Sequence, residues 1–200
     1  MTDDPYLNPG ATTLRNKLGL IDAESLDAFE RRMVAARAAE GIPSGEFDLP
    51  HLQAIHRHLF QDVYDWAGEL RTVEISKGGH QFMLRQFIQN GMADVHRRVI
   101  KADRFKGSSL GDFARAAGQI MGDANYVHPF REGNGRSQLF YLKQLALVAG
   151  HPLDLRHIDA HAWMKASRYA HEAEYAPMGD AIRAALERSA PPPPEPNRSR

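Results

Sequence analysis

The sequence predicts an all-α, mainly helical domain with one small β-hairpin. Three observations carry this expectation. Apolar residues recur at helical spacing in a succession of stretches, each opened or closed by a capping residue. Only one short stretch, Arg71 to Met83, is rich in β-branched residues and split by a Gly-Gly pair, the pattern of a hairpin. The 200 residues, 42% of them hydrophobic, suit one domain with a full-sized core.

The elements follow in order. Asp22 can cap a helix from Ala23 to Glu40 that buries Leu26, Phe29, Met33 and Val34 and stops at Gly41. Asp48 or Leu49 begins a second helix, with Pro50 tolerated in its first turn. Its apolar stripe of Leu52, Ile55, Leu59, Phe60, Val63 and Trp66 runs to Gly68. Thr72, Val73 and Ile75 predict a strand over Arg71–Ser76, Gly78-Gly79 a turn, and Gln81-Phe82-Met83 a returning strand. Helices are then expected over 84–103, 110–127, 134–148, 159–174 and 178–188. The domain is expected to span 1–189. Residues 190–200, Ala-Pro-Pro-Pro-Pro-Glu-Pro-Asn-Arg-Ser-Arg, read as a proline-rich tail or linker.

Composition narrows the function. Lys plus Arg and Asp plus Glu both number 25, a formal net charge of zero. That argues against a broad nucleic-acid-binding face, which needs a basic excess. Without cysteine there is no disulfide framework, thiolate metal site or cysteine nucleophile. Met1-Thr2-Asp3-Asp4-Pro5 lacks the features of a signal peptide, and no apolar run is long enough to span a bilayer. The expected location is the cytoplasm, with no membrane partner.

The chemistry is concentrated in His128-Pro129-Phe130-Arg131-Glu132-Gly133-Asn134-Gly135-Arg136. Gly-Asn-Gly lets backbone amides approach an anion closely, and a helical pattern resumes directly after it. Arg136 adds a permanently charged fork suited to phosphate. Glu132 is a hard oxygen ligand of the type that holds Mg²⁺ on a nucleotide. His128 is suited to taking a proton near neutral pH, and Pro129 biases it out of the helix. Phe130, apolar in a polar run, is expected to anchor the loop by burial. The plain alternative is an ordinary Gly-Asn turn between helices.

The segment resembles the Fic-domain signature His-x-Phe-x-(Asp/Glu)-Gly-Asn-Gly-Arg-x-x-Arg. The resemblance extends over residues 6 to 188. It includes Asn16-Lys17, Phe60 through Trp66-Ala67-Gly68, and Arg71-Thr72-Val73-Glu74-Ile75-Ser76-Lys77-Gly78. It implies the helical Fic fold and transfer of AMP from ATP to a Tyr, Ser or Thr hydroxyl of a target protein. It implies His128 as the base and Glu132 as the Mg²⁺ ligand. Gly133, Asn134, Gly135 and Arg136 become the phosphate loop. The hairpin Ile75, Ser76, Lys77, Gly78, Gly79 and His80 becomes a flap that aligns the target by strand addition, with Lys77 also reaching the nucleotide.

Asn125, three residues before His128, becomes a nucleotide-site polar group, with helix capping as the equal alternative. Trp163 is read as lining the adenine pocket or packing in the core. His51, His56 and His58 read as surface and core histidines. The pair His157 and His161 has zinc spacing, but Asp159 lies on the wrong face.

The Tyr6-Leu7-Asn8-Pro9-Gly10 and Trp66-Ala67-Gly68 features resemble stand-alone bacterial Fic toxins. That resemblance implies a type II topoisomerase target, DNA gyrase or topoisomerase IV, and a small antitoxin acting in trans. The chain departs from the signature at Leu139, where the pattern has its second Arg. In the family that Arg helps hold the γ-phosphate and pairs with an inhibitory Glu. A slow enzyme, a different donor and a non-catalytic binding module all stay open on that departure. The inhibitory pattern (Ser/Thr)-x-x-x-Glu-(Gly/Asn) is not met at Glu40-Gly41, because Ala36 stands where the hydroxyl belongs. No inhibitory helix is therefore expected within these residues.

Overall fold

The computed structural model describes residues 4–190. All but the first residue of the proline-rich tail lies outside them. Seven α-helices and a two-stranded hairpin make up the described fold. They are α1 (Ala23–Ala39), α2 (Leu49–Phe60), β1 (Ser76–Lys77), β2 (His80–Gln81), α3 (Ile88–Lys101), α4 (Leu110–Val127), α5 (Asn134–Ala149), α6 (Ala160–Ala170) and α7 (Ala176–Ser189).

Local chemistry sets the helix starts. Asp22, Asp48, Ser109 and Asp159 each accept a hydrogen bond from a backbone amide of the first turn, satisfying a donor that the helix leaves orphaned. α4 is the central helix and packs against α3, α5, α6 and α7. Its contact with α7 is close because glycines meet there. A Cβ on Gly118 would fall 2.6 Å from the backbone nitrogen of Gly179. Phe113, Ala117 and Met121 of α4 join Leu52, Ile55 and Leu59 of α2, Met92 and Val95 of α3, Leu142 and Leu145 of α5, and Met178 and Ile182 of α7 in one core. Among the described residues, no helix is long and apolar enough to cross a membrane.

The structure differs from the expected elements where the chain turns. The second helix ends at Phe60, not at Gly68. Val63, Tyr64 and Ala67 are buried nonetheless, because tight turns fold the segment back along α2. Gly68 closes that return with φ of 85°. Its amide donates to His56 Nδ1 at 2.8 Å and its carbonyl accepts from Gln53 at 2.8 Å. The first strand is only Ser76–Lys77, since Arg71 ties the preceding residues to the loop after α4. The return strand is His80–Gln81, because the Met83 amide leaves the ladder and donates to Tyr126 of α4 at 3.0 Å. Arg85–Phe87 is a 3₁₀ turn ahead of α3. α6 stops at Ala170, four residues short of the expected end.

Candidate active site

The link between α4 and α5 carries the site. α4 ends at His128, which holds a left-handed backbone at φ of 47°, a conformation costing a non-glycine residue about 1–2 kcal/mol. That turn carries the ring out of the helix. Nδ1 lies 3.0 Å from the Asn125 carbonyl. A carbonyl can only accept, so Nδ1 carries the proton and Nε2 keeps its lone pair. The ring also stacks on Phe82 at 3.7 Å. Burial pushes the His128 pKa down to about 4, against the opposing Asn125 hydrogen bond and with help from the charges of Arg71, Lys77 and His171. The imidazole is neutral at pH 7 and able to accept a proton.

The loop after it is fixed through its backbone. The Arg71 Nε donates to the His128 carbonyl and the Arg71 amide to the Pro129 carbonyl, both at 2.9 Å. The same buried guanidinium bonds the carbonyls of Val73 and Met83, so one side chain joins the motif loop to the foot of the hairpin. Asn134 accepts from the Phe130 amide at 2.9 Å and donates to the Phe130 carbonyl at 2.8 Å. Its side chain is thereby committed to the loop, and its backbone amide is what it offers an anion. Phe130 is fully buried and stacks on His56 at 3.9 Å.

His56 accepts from Gly68 at Nδ1, so its Nε2 carries the proton and donates to the Glu132 carbonyl at 2.9 Å. Burial lowers its pKa to about 4 as well. Gly133 sits at φ of 81°, and a Cβ there would fall 2.5 Å from the Phe60 ring. Only glycine fits. Gly133 is also the N-cap of α5, and no side chain caps that helix. Gly135, one residue inside, has nothing within 4 Å of an added Cβ.

The charged residues divide into two groups. Glu132 is half-exposed, and its Oε1 accepts from the Gly133 amide at 3.0 Å. Arg136 is drawn inward. Its Nη2 lies 2.6 Å from buried Glu30 and 3.7 Å from Glu132, and its guanidinium sits 4.7 Å over the Phe60 ring. The Tyr64 hydroxyl donates to the other Glu30 oxygen. Burial and that carboxylate push the Tyr64 pKa up, so the phenol stays protonated. The guanidinium expected to face phosphate is therefore neutralised by a carboxylate from α1.

The flap pairs Ser76 with Gln81 and Lys77 with His80, and its turn glycines have φ of 60° and 84°. Residues Ser76 to Gln81 are exposed, while Ile75 is half-buried. Phe82 is the buried foot that bears on His128. Asn125 is buried and reaches Ser167 of α6 at 3.3 Å, and the C-cap is His128 instead. Trp163 lies in the core cluster. The cavity of about 490 Å³ between the flap and α6 is lined by its neighbour Met164 and not by Trp163. The indole sits on the inner face of α6 with Ala166 and Ala170. Among the described residues, no group of three His, Asp or Glu side chains is placed to hold a metal ion.

Four residues that matter here were not assigned to the site from the sequence. His56 and Glu30 carried a signal. His56 falls within the apolar face of α2, and Glu30 sits midway between Leu26 and Val34 in the buried stripe of α1. Polar residues in an apolar stripe have partners in the folded state. Tyr64 followed from neither pattern. Arg71 lies in an extended segment, where period gives no clue to a buried guanidinium.

A buried, neutral histidine followed by a Gly-Asn-Gly loop that opens an uncapped helix defines a class of protein, and comparison with known proteins agrees. The Fic/DOC family profile matches residues 46–146. The chain belongs to this family. It is 36% identical over 182 residues to the probable protein adenylyltransferase y4lH of Sinorhizobium fredii, covering 90% of this chain and 95% of that protein. It is also 36% identical to the probable protein adenylyltransferase Fic of Salmonella typhimurium, covering 82% and 83%. Among solved structures, the BepC protein of Bartonella tribocorum with bound AMPPNP superposes with a TM-score of 0.84 at 26% identity, covering 90% of this chain and 95% of that one.

Proposed function

We infer that this chain is a protein adenylyltransferase that moves AMP from ATP to a hydroxyl side chain of a target protein. The observation that carries the reading is His128, whose Nδ1 is bound to the Asn125 carbonyl and whose Nε2 is left as a neutral base at the head of the loop that leads into α5. The names of the relatives and the AMPPNP bound in BepC support it.

The residues divide the work. Amides at the start of α5 receive the phosphates, favoured by the helix dipole. His128 Nε2 takes the proton from the target hydroxyl. The freed oxygen attacks the α-phosphorus, the bond to the bridging oxygen breaks, and pyrophosphate leaves with its electron pair. Amides already aligned on that site stabilise the charge that develops. The Glu132 Oε2 has no partner among the described residues, and a single carboxylate completed by substrate phosphates suits Mg²⁺. Bound there, the ion would neutralise phosphate charge. The hairpin of Ile75 to His80 serves as the target-aligning flap, and Lys77 as a nucleotide contact.

A second reading has its own support. Leu139 packs half-buried against the core, and Arg136 is held by Glu30. With Arg136 engaged by Glu30 and no guanidinium at position 139, a donor other than ATP, or slow turnover, fits this site. The toxin role follows from resemblance: a type II topoisomerase target in the cytoplasm and a small antitoxin in trans.

The test is incubation with each α-labelled nucleoside triphosphate, Mg²⁺ and a cell lysate, alongside His128→Ala. Labelled protein bands from ATP that vanish in the variant support adenylyl transfer. Labelling from another nucleotide selects the second reading, and labelling by none sinks both.

A further inference from the structure

The peptide that joins Glu132 to Gly133 is held at both ends. Its N–H donates to the Glu132 carboxylate at 3.0 Å, and its carbonyl accepts from His56 at 2.9 Å. Among the described residues, no other donor reaches that carbonyl. Gly133 is the N-cap of α5, so the tilt of this peptide sets the direction of the amides that follow it. The donor belongs to another element: His56 lies within α2, 76 residues before Glu132.

His56 is held in one orientation and one tautomer. Its ring is fully buried and stacks on Phe130 at 3.9 Å and on Phe60 at 4.7 Å. Nδ1 accepts from the Gly68 amide, which can only donate, so Nε2 carries the proton that the Glu132 carbonyl receives. Gly68 is itself fixed, because a Cβ there would fall 2.8 Å from Arg57 Cβ. The imidazole also lies directly against the loop: a Cβ on Gly133 would fall 3.1 Å from His56 Nε2. An apolar ring would stack on Phe60 and Phe130 equally well. Packing therefore does not explain an imidazole at this position, whereas its two hydrogen bonds do.

We propose that His56 is a positioning residue for adenylyl transfer: through the Glu132 carbonyl it sets the tilt of the Glu132–Gly133 peptide, and with it the aim of the amides at the start of α5. The proposal rests on the transferase reading above. His56 touches no substrate and acts through the loop backbone alone. The Glu132 carboxylate depends on the same peptide, because its Oε1 is bound to the peptide N–H. Amides stabilise a transition state only when they are already aligned on the developing charge. A misplacement on the order of 1 Å costs about 10²-fold in rate.

Two substitutions separate the donor from the packing. His56→Gln places an amide nitrogen near the Nε2 position and keeps the donor to Glu132. His56→Asn places an amide oxygen near Nδ1, keeps the acceptor for Gly68 and loses that donor. Both remove a buried ring, so both should lower the denaturant midpoint. Transfer from α-labelled ATP to lysate proteins is followed across ATP concentrations, and affinity for α,β-methylene ATP is measured by calorimetry. In His56→Asn the rate at saturating ATP is expected to fall about 10²-fold, with the KM for ATP and the analogue affinity weakened only a few-fold. His56→Gln should stay within about fivefold of wild type in rate and keep its analogue affinity. Equal rates in the two folded variants, both retained or both lost, overturn the proposal, and so does a loss confined to His56→Gln. If His56→Asn does not fold, His56→Gln decides: a larger loss of rate in folded protein overturns the proposal and a smaller one supports it. Failure of both to fold assigns His56 to stability alone and overturns it. If the wild type labels no protein, the transferase reading falls, and His56 is then judged on analogue affinity, which His56→Asn should weaken and His56→Gln preserve.

Discussion

The loop from His128 to Arg136 and the hairpin from Ile75 to Phe82 meet at one ring contact, Phe82 on His128, yet they are built in opposite ways. In the loop, the carbonyls of His128, Pro129, Phe130 and Glu132 each have a protein donor. Of its two glycines, Gly133 is buried against Phe60 and Gly135 is open. In the hairpin, two residues pair with two, and six consecutive residues are exposed. Groups that act on a reacting atom must be held within a fraction of an ångström. A surface that aligns varied targets needs only an edge. The protein spends its buried hydrogen bonds on the first and almost none on the second.

The largest effect that tests this contrast is on the base. His128→Ala is expected to lower transfer by a factor of about 10²–10⁴, the usual contribution of a general base, while the circular dichroism spectrum is unchanged. Transfer at the wild-type rate would remove His128 from the chemistry and leave the loop a structural link.

Next is the rigidity of the loop. Gly133→Ala forces a Cβ into Phe60 at a left-handed backbone position. The expected loss is about 3 kcal/mol in denaturant unfolding, from conformational strain and overpacking together. Gly79→Ala also adds a Cβ at positive φ, but with nothing within 4 Å. It should cost only the conformational term, about 1 kcal/mol. Equal losses at the two glycines would mean that the loop is no better packed than the flap.

What the sequence disclosed follows the same division. The helices were legible because each buries a stripe with a 3.6-residue period, and α1, α4 and α5 begin at the expected residues. The hairpin was legible only at Gly78-Gly79. Its strands are too short for alternation to register, so Val73, Ile75 and Met83 misled on their extent. The motif loop was legible as chemistry, but its support was not. Arg71, Tyr64, Glu30 and His56 arrive from other elements at separations that no local pattern encodes. The same holds for Arg136, whose charge reads as phosphate-seeking until Glu30 is seen beside it.

Acid separates the regions further. His56 and His128 ordinarily titrate near 6.5 and are pushed down to about 4 in the folded chain. Between those values the unfolded chain binds more protons, so stability rises with pH there. Their contribution is fully present above about 6.5 and is lost as pH falls toward 4. The thermal midpoint should therefore drop between pH 6.5 and 4.5, and His56→Gln should flatten that drop. A midpoint independent of pH over this window would show that neither imidazole is held neutral.

A smaller gain is expected at Leu139. The side chain is half-buried at the core margin, one turn beyond Arg136. Leu139→Arg restores a guanidinium on the first turns of α5, without the Glu30 partner that occupies Arg136. One charge-assisted contact to an outer phosphate predicts roughly tenfold tighter ATP binding by calorimetry. Weaker binding would mean that the apolar contact, and not the missing charge, shapes this end of the site, and would favour a different donor.

The smallest effect belongs to the flap. Lys77 is exposed on a two-residue strand, and its own hydrogen bonds are those of the backbone ladder. Lys77→Ala should leave unfolding free energy within about 0.5 kcal/mol of wild type, as for surface changes without a structural partner. If Lys77 reaches the nucleotide, the KM for ATP should rise a few-fold while kcat at saturating ATP is unchanged, the signature of a contact made equally in ground and transition states. The KM for target separates the alternatives. A rise there with ATP binding intact would remove Lys77 from the nucleotide, and the flap would then act in target selection alone. A large loss of stability would contradict the comparison itself, because it would mean that the hairpin is held by side chains as the loop is.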